Sequence, residues 1–160
     1  MKYKELTIKA SEIARSIILP VIASQSEIRC HQFGIEKIEA DVCALIDTGA
    51  TNTSISNKLA ASLNLKAVEQ CKVAAAGGIH IANVYSIEIS IKDMLKFTNI
   101  KAAEFIKNDK FDIIIGMDIL TLGDLAITNH DHRTVVSFRV PPDTVHIDFT
   151  TAANNNNEHS

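Results

Sequence analysis

No stretch of this 160-residue chain approaches the roughly 20 consecutive apolar residues that a membrane-spanning helix needs. The longest early apolar run, "IILPVIA" ending at Ala23, is short, broken by Pro20 and preceded by mixed charges, so it is a poor secretory leader. A soluble cytoplasmic protein is the expectation. Basic charge is not in excess either. The formal net charge is −3, which gives no electrostatic field for nucleic acid. Cysteine is scarce, and Cys30, Cys43 and Cys71 are an odd number with no C-x-x-C spacing. That pattern fits reduced thiols better than a disulfide framework. Cys43 stands inside an apolar run and is expected to be a small core residue.

Other signatures are missing too. There is no G-x-S-x-G elbow for a serine hydrolase and no glycine fingerprint for a phosphate or dinucleotide. A Cys–His pair lacks a supporting context. No internal repeat is visible, and no cofactor is expected. The segment "NHDHR" places His130 and His132 two apart around Asp131. A third ligand at suitable spacing is missing, so the segment reads as a hairpin turn and no metal is expected.

What is present is a core. With 46% hydrophobic residues, a chain of this length forms one domain that buries about two-thirds of its surface. The pattern predicts a helix or strand over residues 5–16, then strands over 17–23, 33–36 and 39–46. The last is continuously apolar from Val42, as a strand buried on both faces would be. Ser56 is a candidate N-cap for a helix over residues 56–65, with Leu59 and Leu63 on one face. Gly77 and Gly78 separate two extended arms, the second alternating with Ile87, Ile89 and Ile91 on one face and Ser86, Glu88 and Ser90 on the other. That is a hairpin signal. Residues 113–115 form a short strand interrupted by Gly116, and residues 117–122 one or two turns of helix with Gly123 as C-cap. "DLAITN", "TVVSFRV" and "TVHIDF" read as three more strands. The fold class is therefore all-β, a barrel or sandwich with short helices. Residues 151–160 read as a disordered polar tail after a domain spanning 1–150.

One segment stands apart. "CALIDTGATNTSIS" drives an apolar strand into Asp47, Thr48 and Gly49, then into small hydroxyl residues. By itself the tripeptide is a tight turn, with Asp47 as turn former and Gly49 free to take a positive φ. About 65 residues later comes "IIIGMDIL", a second apolar strand ending in glycine, and the glycine-bearing hairpin lies between. This combination resembles the retroviral-type (retropepsin-like) aspartic proteases, over about residues 17–149. The helix after the loop is similar to that of bacterial members.

The resemblance implies an acid-protease barrel with one lobe per chain, and an aspartic endopeptidase acting on polypeptide. Asp47 would be the catalytic acid, with Thr48 bonded across a two-fold axis. Gly49 would permit the tight turn and donate its amide to the acid. Ala50, Thr51 and Asn52 would line the substrate groove, and Ala76, Gly77, Gly78 and Ile79 the closing flap. Ile114, Ile115 and Gly116 would pass beneath the loop in support. The chemistry needs two carboxylates sharing one proton. The chain has one Asp-Thr-Gly, so the resemblance implies a C2 homodimer, with residues 6–10 or 144–150 supplying interface strands. Asp112 and Asp118 are conceivable partners for Asp47 within the chain, but read more simply as a strand start and an acid in a first helical turn. Ala50 stands where pepsin-like enzymes carry a hydroxyl that favours the ionised acid, so activity is expected to extend to less acidic pH. His80 reads as a solvated loop residue. A peptide-binding module on the same fold, without turnover, is the alternative; a third reading is a β-domain that serves assembly only.

Overall fold

A computed structural model describes residues 2–75, 78–92, 94–106 and 109–148. The elements in chain order are β1 (Lys4–Lys9), β2 (Ile17–Gln25), α1 (Glu27–Phe33), β3 (Glu39–Ile46), β4 (Ser54–Ser56), α2 (Asn57–Ser62), β5 (Glu69–Ala75), β6 (Gly78–Ile91), β7 (Leu95–Phe105), β8 (Ile113–Ile115), α3 (Met117–Leu120), β9 (Asp124–His130) and β10 (Arg133–Val140). Six strands close on themselves in the order β2-β3-β8-β4-β7-β6, with β6 pairing back onto β2. Closure leaves the ring without a free edge. β5 hangs on β6 outside the ring, and β1-β10-β9 form a separate three-stranded antiparallel sheet. The fold is all-β with short helices, as the patterning predicts.

The core is the inside of that ring. Leu19, Ala44, Ile55, Ile87, Ile89, Ile113 and Ile115 are almost wholly removed from solvent. The three-stranded sheet joins the same cluster through Leu6 and Phe138, the Phe138 ring lying 6.5 Å from that of Phe97. Burying each of these leucine, isoleucine and phenylalanine side chains contributes about 1.5–3 kcal/mol. Ser56 caps α2 as expected, its hydroxyl accepting the Leu59 N–H at 3.1 Å, and Leu59 and Leu63 are both buried.

The alternation in β6 holds for the isoleucines and has one unexpected member. Glu88 points away from Ile87 and Ile89 yet is only 2% exposed. Its carboxylate accepts from Lys37 Nζ at 2.9 Å, Lys96 Nζ at 3.1 Å and the Glu27 N–H at 2.9 Å, which pins α1 to the barrel. Burial pushes the Glu88 acid upward, but the hydrogen bonds from Lys37, the Glu27 amide and Lys96 outweigh it and hold the group below the ordinary glutamate value.

Several expectations are corrected. Residues 33–36 are no strand: α1 ends at Phe33, and Gly34 takes φ +61 while the Gly34 and Ile35 amides bond back to His31 and Cys30. Glycine is the residue that adopts this left-handed conformation with least strain. Cys43 is exposed, because the pleat sends Ala44 into the core and Cys43 outward; the buried thiol is Cys30. The strand buried on both faces is therefore an ordinary barrel strand with alternating faces. Gly123 does not cap α3, whose C-cap is Thr121 with φ −75. Gly123 instead abuts the Arg139 carbonyl of β10, where a Cβ would collide. Residues 144–148 form no strand, and β1 takes the place beside β10. The chain after Pro142 is tied down by Asp143, which pairs with Arg139 at 2.9 Å and accepts the Tyr3 hydroxyl at 3.3 Å. Residues 149–160, with the polar tail, lie outside the described residues. Asp131 and His132 form the two-residue hairpin turn, both at positive φ.

Candidate active site

Two strands running the same way assemble the site. β3 and β8 pair in parallel, with Ala44 opposite Ile113, Leu45 opposite Ile114 and Ile46 opposite Ile115. The chain therefore leaves both strands at one level, at Asp47 and at Gly116, and the Asp47 N–H donates to the Ile115 carbonyl at 3.0 Å. The other edge of β8 carries β4, with Ser54 opposite Ile114. To pass from β3 to β4, residues 47–53 must cross over the end of β8.

That crossing leaves no space for a side chain at Gly116. A Cβ there would stand 2.6 Å from the Asn52 carbonyl carbon and 2.9 Å from the Ala50 oxygen, both backbone atoms that cannot swing aside. The same contact lets the loop be fastened. The Met117 N–H donates to the Ala50 carbonyl at 2.8 Å and the Asp118 N–H to that of Thr51 at 3.2 Å. Thr53 is fully buried beneath the loop. Its N–H and hydroxyl both donate to Asp118 Oδ1, at 2.9 and 2.8 Å, and its hydroxyl accepts the Gly116 N–H at 3.3 Å. Ile115 is buried and Ile114 half-buried, so the strand below is firm support.

On this base Asp47 is half-buried, and its Oδ1 accepts the Gly49 N–H at 2.8 Å. A Cβ on Gly49 would sit 3.2 Å from that oxygen, a tight contact that the carboxylate would have to yield a few tenths of an ångström to admit; Gly49 does not take the positive φ expected of it. Thr48, Thr51 and Asn52 are exposed and Ala50 is half-buried, leaving a rim of small groups open to a ligand.

The β5–β6 hairpin leaves the barrel at β6. β6 begins to pair with β7 only at Val84, opposite Ala103, so residues 78–83 are hydrogen-bonded to β5 alone as a two-stranded ribbon. Ala103 in turn lies opposite Ser54 and donates its N–H to the Thr53 carbonyl at 3.4 Å. The ribbon thus springs from the barrel two strands from the Asp47 loop. It carries Ile79 and Ile81 almost bare, at 75% and 68% exposed, with Gly78 at φ +110 and His80 also exposed. Ala76 and Gly77, also expected in the flap, lie outside the described residues.

The two acids conceivable as partners for Asp47 within the chain are occupied elsewhere. Asp112 accepts the Ser56 hydroxyl at 2.7 Å, at the opposite end of β8 from Asp47, while Asp118 is committed to Thr53. Among the described residues no group of three or more His, Cys, Asp or Glu side chains could hold a metal. Sequence reading missed the Thr53–Asp118 pair as a fastening for the loop. Asp118 reads as an acid in a first helical turn, where it stands, but a contact 65 residues apart in the chain leaves no local pattern.

A closed barrel of this kind is the retropepsin-like fold. The crystal structure of a retropepsin-like aspartic protease from Rickettsia conorii matches this chain with a TM-score of 0.50, covering 87% of this chain and 94% of that one at 13% sequence identity. At that identity the likeness is one of fold. The model of the family described as "gag-polyprotein putative aspartyl protease" matches residues 35–121, more than half of the chain. The chain belongs to that family, and family and fold together support a protease function. The matched segment includes the Asp47 turn, the ribbon, β8 and α3. Among curated proteins none matches in sequence.

Proposed function

We propose that the protein is an aspartic endopeptidase that hydrolyses peptide bonds as a homodimer, through a water held between the Asp47 carboxylates of two copies. The observation that carries this reading is the seating of Asp47. It stands at the end of a parallel strand pair, with the Gly49 amide on its Oδ1 and a loop fastened from below by Thr53 and Asp118. A turn former needs no such fastening. A group that must meet its twin within a fraction of an ångström does.

The chemistry follows from like charge. Two carboxylates a few ångströms apart cannot both ionise, so they share a proton. The ionised member takes a proton from water as the oxygen attacks the peptide carbonyl. The protonated member donates to that carbonyl oxygen and stabilises the charge that develops there. Collapse of the tetrahedral species breaks the C–N bond, and the departing nitrogen leaves with a proton. No covalent intermediate is needed. The second acid is assigned to a second copy because Asp112 and Asp118 are engaged elsewhere within the chain. In that assembly Thr48 bonds across the axis. Gly78 and Ile79, with the neighbouring Ala76 and Gly77, close over an extended peptide lying along Ala50, Thr51 and Asn52.

The test compares the wild type with Asp47→Asn on a diverse peptide mixture over roughly pH 4 to 8. Cleavage by the wild type that the variant loses is the expected result. Peptide binding without cleavage at any pH would replace the enzyme by a binding module.

A further inference from the structure

One recess lies away from the Asp47 loop. It is a cavity of about 270 Å³ between α1, the segment after α2 and the outer face of β6. Along β2 it opens at Gln25, whereas Ile17, at the other end of that strand, pairs with Ile46 next to Asp47. No residue of the Asp47 loop lines it.

Its walls are apolar: Phe33, Ile35, Leu65 and Cys30. Phe33 and Ile35 are 62% and 52% exposed, which is costly for side chains with nothing to cover them. Two features at this apolar site call for an anion. Arg29 lines the cavity half-buried, and Lys66 stands beside it; neither has an ion-pair partner among the described residues. Among the described residues the other half-buried lysine and arginine side chains are paired, Lys37 with Glu88 and Arg139 with Asp124 and Asp143. The second feature is Ser26. It is the N-cap of α1 and only 2% exposed, yet its side chain makes no cap hydrogen bond, and it lines the cavity.

We propose that this cavity binds a small carboxylic acid with an apolar body, its carboxylate held by Arg29 and the Ser26 hydroxyl and screened by Lys66, its hydrocarbon part on Phe33, Ile35 and Leu65. Arginine suits a carboxylate because its planar fork donates two parallel hydrogen bonds. The volume, just under the lower end of the range for small-molecule pockets, selects a ligand of medium-chain or single-ring size. Binding here is independent of the peptidase reading, because it requires neither Asp47 nor a second copy.

The test uses octanoate and its neutral analogue octanol, followed by calorimetry and by amide chemical shifts of the full chain. Saturable octanoate binding is expected, at least about tenfold tighter than octanol, because a hydrogen-bonded charge is lost in the alcohol. Shifts should centre on residues 25–35, 64–66 and 86. Arg29→Gln should remove the preference for octanoate over octanol. Ser26→Ala, which deletes no cap hydrogen bond, should weaken octanoate several-fold while leaving the thermal midpoint unchanged. Equal affinity for the two probes, octanoate affinity unchanged in Arg29→Gln, or shifts centred on the Asp47 loop would each overturn the assignment.

Discussion

Asp118 Oδ1 receives both donors of Thr53, the N–H at 2.9 Å and the hydroxyl at 2.8 Å, across 65 residues of chain. This bond ties the loop that carries Asp47 to the helix that follows β8. Because Thr53 has no access to water, its donors have no other partner if the carboxylate is removed. Asp118→Ala is expected to cost about 1–3 kcal/mol of stability, the penalty for buried donors left unsatisfied. Urea unfolding reads this directly. Peptidase activity should fall further than stability alone explains, because the loop loses its register.

Gly116 sets a steric condition on the same loop. A methyl group at this position meets the Asn52 and Ala50 backbone, and neither can move without lifting the loop off β8. Gly116→Ala should destabilise by about 1–3 kcal/mol or more, as overpacking does. Gly34→Ala, where a Cβ meets nothing within 4 Å but φ is +61, is the contrast. It should cost only the strain of a left-handed residue, about 1 kcal/mol. Paired denaturation curves would separate the two, and a Gly116→Ala midpoint equal to that of the wild type would refute the packing described here.

How much of this was visible in the residues follows from range. β3 announced itself by a continuous apolar run, β6 by its alternating isoleucines, and α2 by Ser56; each signal lies within one element. The Asp47 turn was legible because Asp-Thr-Gly and the later apolar strand ending in Gly116 are both compact motifs. What escaped notice is held by distant partners. Glu88 reads as a solvent-facing strand residue until Lys37, Lys96 and the Glu27 amide arrive from two other parts of the chain. Cys43 reads as core until the pleat of a closed barrel decides which residues face inward. Residues 144–148 carry a strand-like alternation, but the place beside β10 is taken by the start of the chain.

The Glu88 cluster gives a pH dependence with a definite sign. Burial raises the Glu88 acid and hydrogen bonds lower it more, so the folded value lies below the unfolded one. Its contribution is fully present above the unfolded value of about 4.3 and is lost as pH falls through the depressed folded value. Glu88→Gln should therefore lose about 1–3 kcal/mol at neutral pH, since the charged hydrogen bonds to Lys37 and Lys96 weaken. Below about pH 4 the gap between variant and wild type should narrow. A gap that is constant across the acid range would show that the carboxylate does not titrate as described.

The central claim is that one active site needs Asp47 from two molecules. Wild-type chains and Asp47→Asn chains, differently tagged, can be unfolded together and refolded at equal amounts so that subunits assort at random. With total protein held constant, the shared-site account predicts activity about a quarter of that of pure wild type, since only dimers with two intact acids turn over. An activity of about half, the value for chains that each act alone, would contradict it.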